Sequence, residues 1–298
     1  MKKNLFAAGL YIAGSACHLL ADTSVEGPRL GYVATKAGMR SVIGIVGASR
    51  LSDPIASDLI SFVALPGSDV AVGVKPTGEL TRLNLRDGSV SNLGVPGVTV
   101  VVASPSGEVV LAIAGDRSYS FSKQGVRIAE HSLPGAPLLI AVSDGGSTAA
   151  MTVTEADGEA VYLINDQGAR RVLHAARFPA IAFLPKSGDF VVADDAGAIH
   201  RIGSDLQLTR LTTIHGVKAL AGTPDGTRLL LVTGKTVVSL RFATQETTSV
   251  DCLCSGAIAM PLGGSTFLIS NSADEPMWVV DASSEELRLA FIPEAANE

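Results

Sequence analysis

Short apolar runs follow one another along the chain, separated by stretches rich in glycine, proline, serine and aspartate. The clearest pairs are Thr99 to Ala103 with Val109 to Ala114, Leu138 to Val142 with Ala149 to Val153, and Lys218 to Ala221 with Leu229 to Val232. Runs of roughly five residues bounded by turn residues predict β-strands. Many are apolar at nearly every position and not at every second one, which predicts strands covered on both faces. Beside them lie more polar pairs with alternating character: Glu79 to Leu85 with Ser89 to Val95, Ser118 to Ser122 with Val126 to His131, Ala160 to Ile164 with Ala169 to His174, and Ala198 to Ile202 with Leu206 to Thr213. Their connections, such as Arg86-Asp87-Gly88 and Gly203-Ser204-Asp205, have hairpin chemistry.

The turns between the apolar runs recur. Leu65-Pro66-Gly67, Ser104-Pro105-Ser106-Gly107, Ser143-Asp144-Gly145-Gly146, Leu184-Pro185-Lys186-Ser187-Gly188, Thr223-Pro224-Asp225-Gly226 and Pro261-Leu262-Gly263-Gly264 place a glycine at 67, 107, 146, 188, 226 and 264. Proline fixes φ near its turn value, and glycine accepts the positive φ that strains other residues. A period near 40 with four strands per repeat, an apolar inner pair and a mixed outer pair, predicts a β-propeller. Six repeats are complete: 61–97, 98–135, 136–176, 177–216, 217–255 and 256–294. A further two-strand segment, Gly31 to Thr35 and Ser41 to Val46, mimics the outer pair of the last repeat, Met277 to Asp281 and Leu287 to Phe291. The expectation is an all-β, single propeller of seven four-stranded blades, one abbreviated. A six-bladed ring with an extra outer hairpin is the alternative.

Composition refines this picture. No proline- or serine-rich linker or charge run breaks the 298-residue chain, so one domain is expected. A net charge of −6 and a pI of about 5.4 argue against nucleic acid or an anionic membrane surface as partner. Lys2 and Lys3 precede the apolar stretch Leu5 to Ala16, and Ala21 stands ahead of Asp22. That is the layout of a signal peptide over 1–21, its apolar stretch short for a bilayer span, with the propeller occupying 22–298 and an uncleaved membrane anchor the alternative. A periplasmic or extracellular, monomeric protein is therefore expected. Ala16-Cys17 also permits a lipidated N-terminus at Cys17, although Gly14 stands where such motifs usually carry leucine. After cleavage only Cys252 and Cys254 remain. On an extended strand their spacing lies near the upper limit for a disulfide, and two buried thiols are the expectation, with a redox pair or soft-metal site the alternative.

The turns Ser104-Pro105-Ser106-Gly107 and Thr223-Pro224-Asp225-Gly226, with degenerate copies from about Gly31 to Pro293, resemble those of exported bacterial propellers of the YVTN, TolB and NHL type. The opening Gly31-Tyr32-Val33 with Ile43-Gly44-Ile45-Val46-Gly47-Ala48 is similar to the start of exported propellers of the acidobacterial kind. Such families include binding modules, scaffold subunits and a few lactonases, so the resemblance implies no single activity.

Two functions follow as expectations. The first is a noncatalytic binding or scaffold module for a protein or small molecule, with no cofactor required. The second is a metal-assisted lactonase or hydrolase at the channel mouth, which needs carboxylates or imidazoles converging on one face. The connections that share a face in such a blade carry Asp116, Glu155, Asp157, Asp194, Asp195, Asp274 and Glu275, with Arg117 and Lys235 among them. That face is expected to be acidic, either merely solvated or a site for a cation. His131, His174 and His215 recur 43 and 41 residues apart at the ends of fourth strands, a set that could hold zinc only if the three rings converge.

Overall fold

The computed structural model describes residues 27–293 apart from 36–37, 57, 253, 255–257 and 271–276. All regular structure in it is β. Blade 1 comprises β1 (Arg29–Thr35), β2 (Gly38–Ile45) and β3 (Ala48–Leu51); blade 2 comprises β4 (Ser61–Ala64), β5 (Val70–Val74), β6 (Leu80–Asn84) and β7 (Val90–Asn92). Blade 3 is β8 (Val98–Ala103), β9 (Val109–Ala114), β10 (Arg117–Ser122) and β11 (Arg127–Ser132); blade 4 is β12 (Leu139–Val142), β13 (Ala149–Glu155), β14 (Gly158–Asn165) and β15 (Gly168–Ala175). Blade 5 follows with β16 (Ala180–Phe183), β17 (Phe190–Ala193), β18 (Ala198–Ile202) and β19 (Leu208–Thr213). Blade 6 has β20 (Ala219–Gly222), β21 (Arg228–Val232), β22 (Thr236–Arg241) and β23 (Thr247–Asp251), and blade 7 has β24 (Ile258–Gly263), β25 (Thr266–Ser270), β26 (Met277–Asp281) and β27 (Arg288–Ile292). Every sheet is antiparallel and drawn from one contiguous stretch, and the ring closes where β1 packs against both β24 and β4 and β27 meets β3. The protein is a seven-bladed β-propeller, as the repeat predicted.

The unbroken apolar runs are explained by where their two faces go. On β9, Val110 and Ala112 pack into the junction with blade 2, while Val109, Leu111 and Ile113 pack into the junction with blade 4. On β21, Leu229 and Leu231 face blade 5, and Leu230 and Val232 face blade 7. Because side chains alternate along a strand, both registers must be apolar when a blade lies on either side. Seven hydrophobic clusters result, one in each junction of the ring. A buried Leu, Val or Phe contributes about 1.5–3 kcal/mol relative to exposure, so these junctions carry the fold. The fourth strands β7, β15, β19 and β23 are mostly exposed and correspondingly polar.

Five of the six recurring turns share one hydrogen-bond pattern. Leu65, Ser104, Ser143, Leu184 and Thr223 each donate their backbone N–H to the carbonyl five residues on and accept from the amide three residues on. In the fourth repeat the left-handed position falls on Lys186 (φ 57°) and not on Gly188, because the turn places it one residue earlier than in the turns of Gly107, Gly146 and Gly226. The sixth is a tight two-residue hairpin at Gly264 and Ser265, since β24 runs on to Gly263. Neighbouring turns also interlock. The Asp144 carboxylate accepts from the Ser106 N–H (2.9 Å) and hydroxyl (2.6 Å) and from the Lys186 N–H (2.8 Å), joining blades 3, 4 and 5.

Blade 1 departs from the expected correspondence. Gly31 near the start of β1 lies against Leu262, whose carbonyl accepts from Gly67 in the turn after β4. The far end of its hairpin meets the connection into blade 2, where the Met39 N–H donates to the Ala56 carbonyl and the Met39 carbonyl accepts from the Ile55 N–H. β1 therefore runs in the direction of the second strands, and β1 to β3 fill the second, third and fourth positions of a blade. Gly31 to Thr35 and Ser41 to Val46 thus match the middle strands of a blade instead of its outer pair. Among the described residues no strand fills the first position of this blade.

Tyr32 secures the junction between blades 1 and 2. Its ring is buried with Met39, Ala64, Ala71 and Leu83, and its hydroxyl donates to Asp69 (2.9 Å), which also accepts from Arg29 (2.8 Å). Burial, then the hydrogen bond to Asp69, pushes the phenol up to about 12. A phenol whose value is raised on folding favours the folded state fully below its unfolded value near 10, and that contribution is lost as pH rises through 12. Stability should accordingly fall by about 2 kcal/mol between pH 10 and 12. Tyr32→Phe should remove that part of the slope in urea titrations; an unaltered slope would show that Tyr32 does not couple folding to pH. Lys186→Gly should raise the unfolding free energy by about 0.5–1 kcal/mol through relief of left-handed strain, and a lower urea midpoint would contradict the turn assignment.

Candidate functional site: the central channel and its rim

The first strands of blades 2 to 7 surround a central cavity of about 410 Å³. Phe62, Val102, Ile140, Ile181, Phe183 and Met260 contribute to its wall, and Pro66, Pro105 and Pro261 border it where the recurring turns gather. Among the described residues every side chain of the wall is apolar except that of Ser104, and none is ionisable. Ser104 is turned to its own hairpin, where its hydroxyl accepts from the Val109 N–H (3.2 Å). Apolar side chains near the strand starts stay accessible, with Ile258 at 43% and Leu138 at 52% exposure. Each first strand is also the inner edge of its sheet, so its outer row of backbone N–H and C=O groups has no ladder partner.

Charge lies on the rim instead. Among the described residues one set of ligand-type side chains, Glu155, Asp157 and His174, holds its oxygen and nitrogen atoms within 4.8 Å of one another. Glu155 ends β13 and Asp157 lies in the tight turn into β14, and His174 enters from the end of β15 because its backbone pairs with Ala160. The group is internally satisfied. His174 Nε2 lies 3.1 Å from Asp157, while Glu155 accepts from the Tyr162 hydroxyl (2.7 Å) and pairs with Arg171 (3.2 Å). The bond to Glu155 raises the Tyr162 phenol above its ordinary value.

The remaining rim residues are dispersed. Asp116 and Asp195 are exposed in their turns. Asp194 is largely buried, accepts from the Ala198 N–H (2.8 Å) and lies 3.3 Å from His200, a partner that sequence reasoning missed because it stands six residues on, across a hairpin. Asp274 and Glu275 lie outside the described residues, as do the segment 1–21 and Cys17. His131, His174 and His215 do not converge. His131 is buried with Nδ1 4.0 Å from Asp166 of the next blade, and His215 is exposed beside Gly197. Equivalent positions on successive blades are rotated by about a seventh of a turn, which separates side chains on an outer rim. Cys252 and Cys254 form a disulfide with Cα atoms 5.0 Å apart, buried between blades 6 and 7. They follow the end of β23, so the extended-strand spacing that disfavoured a bond does not apply.

No protein-family model and no curated protein sequence matches the chain. Solved structures do. A functionally unknown protein from Desulfotomaculum acetoxidans superposes with a TM-score of 0.57 at 15% identity, over 89% of this chain and 99% of its own. PorZ, an essential bacterial surface component of the type IX secretion system of Porphyromonas gingivalis, gives 0.57 at 13%, over 91% of this chain, which spans 39% of that one. The dihydro-haem d1 dehydrogenase NirN gives 0.50 at 15%, over 75% of this chain and 51% of its own. Likeness at these identities establishes the propeller fold.

Glu155→Ala should bring the Tyr162 phenol down towards its ordinary value, read by phenolate absorbance against pH, whereas Asp157→Asn should not. Equal titration curves in parent and Glu155→Ala protein would contradict the rim geometry.

Proposed function

We propose that the protein is an exported, noncatalytic binding module of the cell envelope that receives its partner at the central channel. The observation that carries this reading is the channel wall, whose described residues include no acid, base or imidazole to activate water or hold a metal. The Lys2/Lys3 and Leu5 to Ala16 layout supports export, and the Ser-Pro-Ser-Gly and Thr-Pro-Asp-Gly turns resemble those of the YVTN, TolB and NHL propellers. PorZ, of which a part is similar in fold, is a bacterial surface component. The second reading, a metal-assisted hydrolase, is favoured only by the Glu155, Asp157 and His174 group. Glu155 already holds the Arg171 guanidinium and the Tyr162 hydroxyl, which a cation would have to displace.

The mature chain from Asp22, loaded with zinc, manganese or calcium, should hydrolyse a panel of lactones and esters no faster than buffer. Cell fractionation should recover the cleaved form outside the cytoplasm. Turnover that disappears in Glu155→Gln or His174→Ala protein would overturn the binding-module reading in favour of the hydrolase.

A further inference from the structure

The channel wall also limits what can occupy it. A charged group brought there exchanges water for aliphatic and aromatic side chains, with no opposite charge among the lining residues, and an unpaired buried charge is strongly disfavoured. An apolar group, in contrast, gains from covering half-buried Phe62, Ile140 and Ile181. The wall is not featureless, because the inner strands are sheet edges whose free backbone N–H and C=O groups offer neutral hydrogen bonds. A first strand of four residues such as β16 is about 13 Å long at roughly 3.3 Å per residue, and about 410 Å³ lies within the range of small-molecule sites.

We propose that the central channel is a binding site for one uncharged, largely apolar small molecule, of two or three rings or an equivalent chain, carrying neutral amide, carbonyl or hydroxyl groups. This deepens the binding-module reading and rests on it. Accessible Ile258 marks the start of β24, so ligand entry runs past a side chain that belongs to none of the seven junction clusters. Substitution there alters the channel without loosening the ring.

The test uses two dyes with one ring system: N-phenyl-1-naphthylamine, which is uncharged, and 8-anilinonaphthalene-1-sulfonate, which adds a sulfonate. Fluorescence titration of the mature chain should show one saturable site for the amine and at least tenfold weaker binding of the sulfonate. Ile258→Arg, which places a cation in the channel, should weaken the amine at least tenfold and reverse the preference between the dyes, at an unchanged melting midpoint. Ala182→Trp, which fills the channel, should also abolish amine binding; if it fails to fold, Ile258→Arg alone decides. Equal binding of both dyes to the parent protein, or amine binding untouched by Ile258→Arg, would overturn the proposal. So would sedimentation showing a dimer that must dissociate before the amine binds, since a second copy would then be the occupant. These failures leave the binding-module reading standing, whereas turnover dependent on Glu155 removes that reading by a separate measurement.

Discussion

Everything in this molecule depends on the packing of one blade's two faces against its two neighbours. Because β9, β17 and β21 send alternate side chains into different junctions, a single strand contributes to two hydrophobic clusters at once. That requirement explains why the inner strands are apolar at consecutive positions and why a chain with only 17% charged residues forms a stable ring. It also explains closure. Among the described residues no sheet joins blade 7 to blade 1, and the two are held by side chains such as Val33, Val42, Leu262 and Val279. The turns add directional bonds to this packing, most clearly where Asp144 ties three successive blades together.

The same constraint shapes the site. Apolar inner strands, needed for the junctions, leave apolar edges along the axis, and the charged residues are displaced to connections, strand ends and the outer strands. Some of those charges pair within their own blade, as Asp194 does with His200 and Glu155 with Arg171, and others reach the neighbouring blade, as Arg241 does to Glu285. A propeller that worked as a hydrolase through its channel would need ionisable side chains on the inner strands, at some cost to junction packing. Here the inner strands serve packing and the channel follows from it as an apolar space.

Much of the fold was legible in the chain because its signals are local. Turn glycines, prolines and strand-length apolar runs act within a few residues, and six blades with a seventh, abbreviated one could be read from them. What could not be read depends on contacts across the ring. The strand position of β1 is decided by Leu262 and Gly67, far away in sequence, and the left-handed residue of the Leu184 turn by hydrogen bonding that a glycine count misses. The Cys252–Cys254 bond follows from where β23 stops. Glu155, Asp157 and His174 were each visible as chemistry, but their meeting required the register of β14 against β15. The channel lining was present as apolar first strands, yet only the closed ring shows that six of them surround one space.

The central claim is that this space is apolar. Diffraction from crystals of the mature chain pressurised with xenon tests it directly, since xenon enters apolar cavities and is excluded from well-hydrated polar ones. Xenon density on the axis, in contact with Phe62, Ile140, Ile181 or Phe183, is the predicted result. A channel filled instead by a continuous column of ordered waters or a bound ion, with no xenon, would contradict the account.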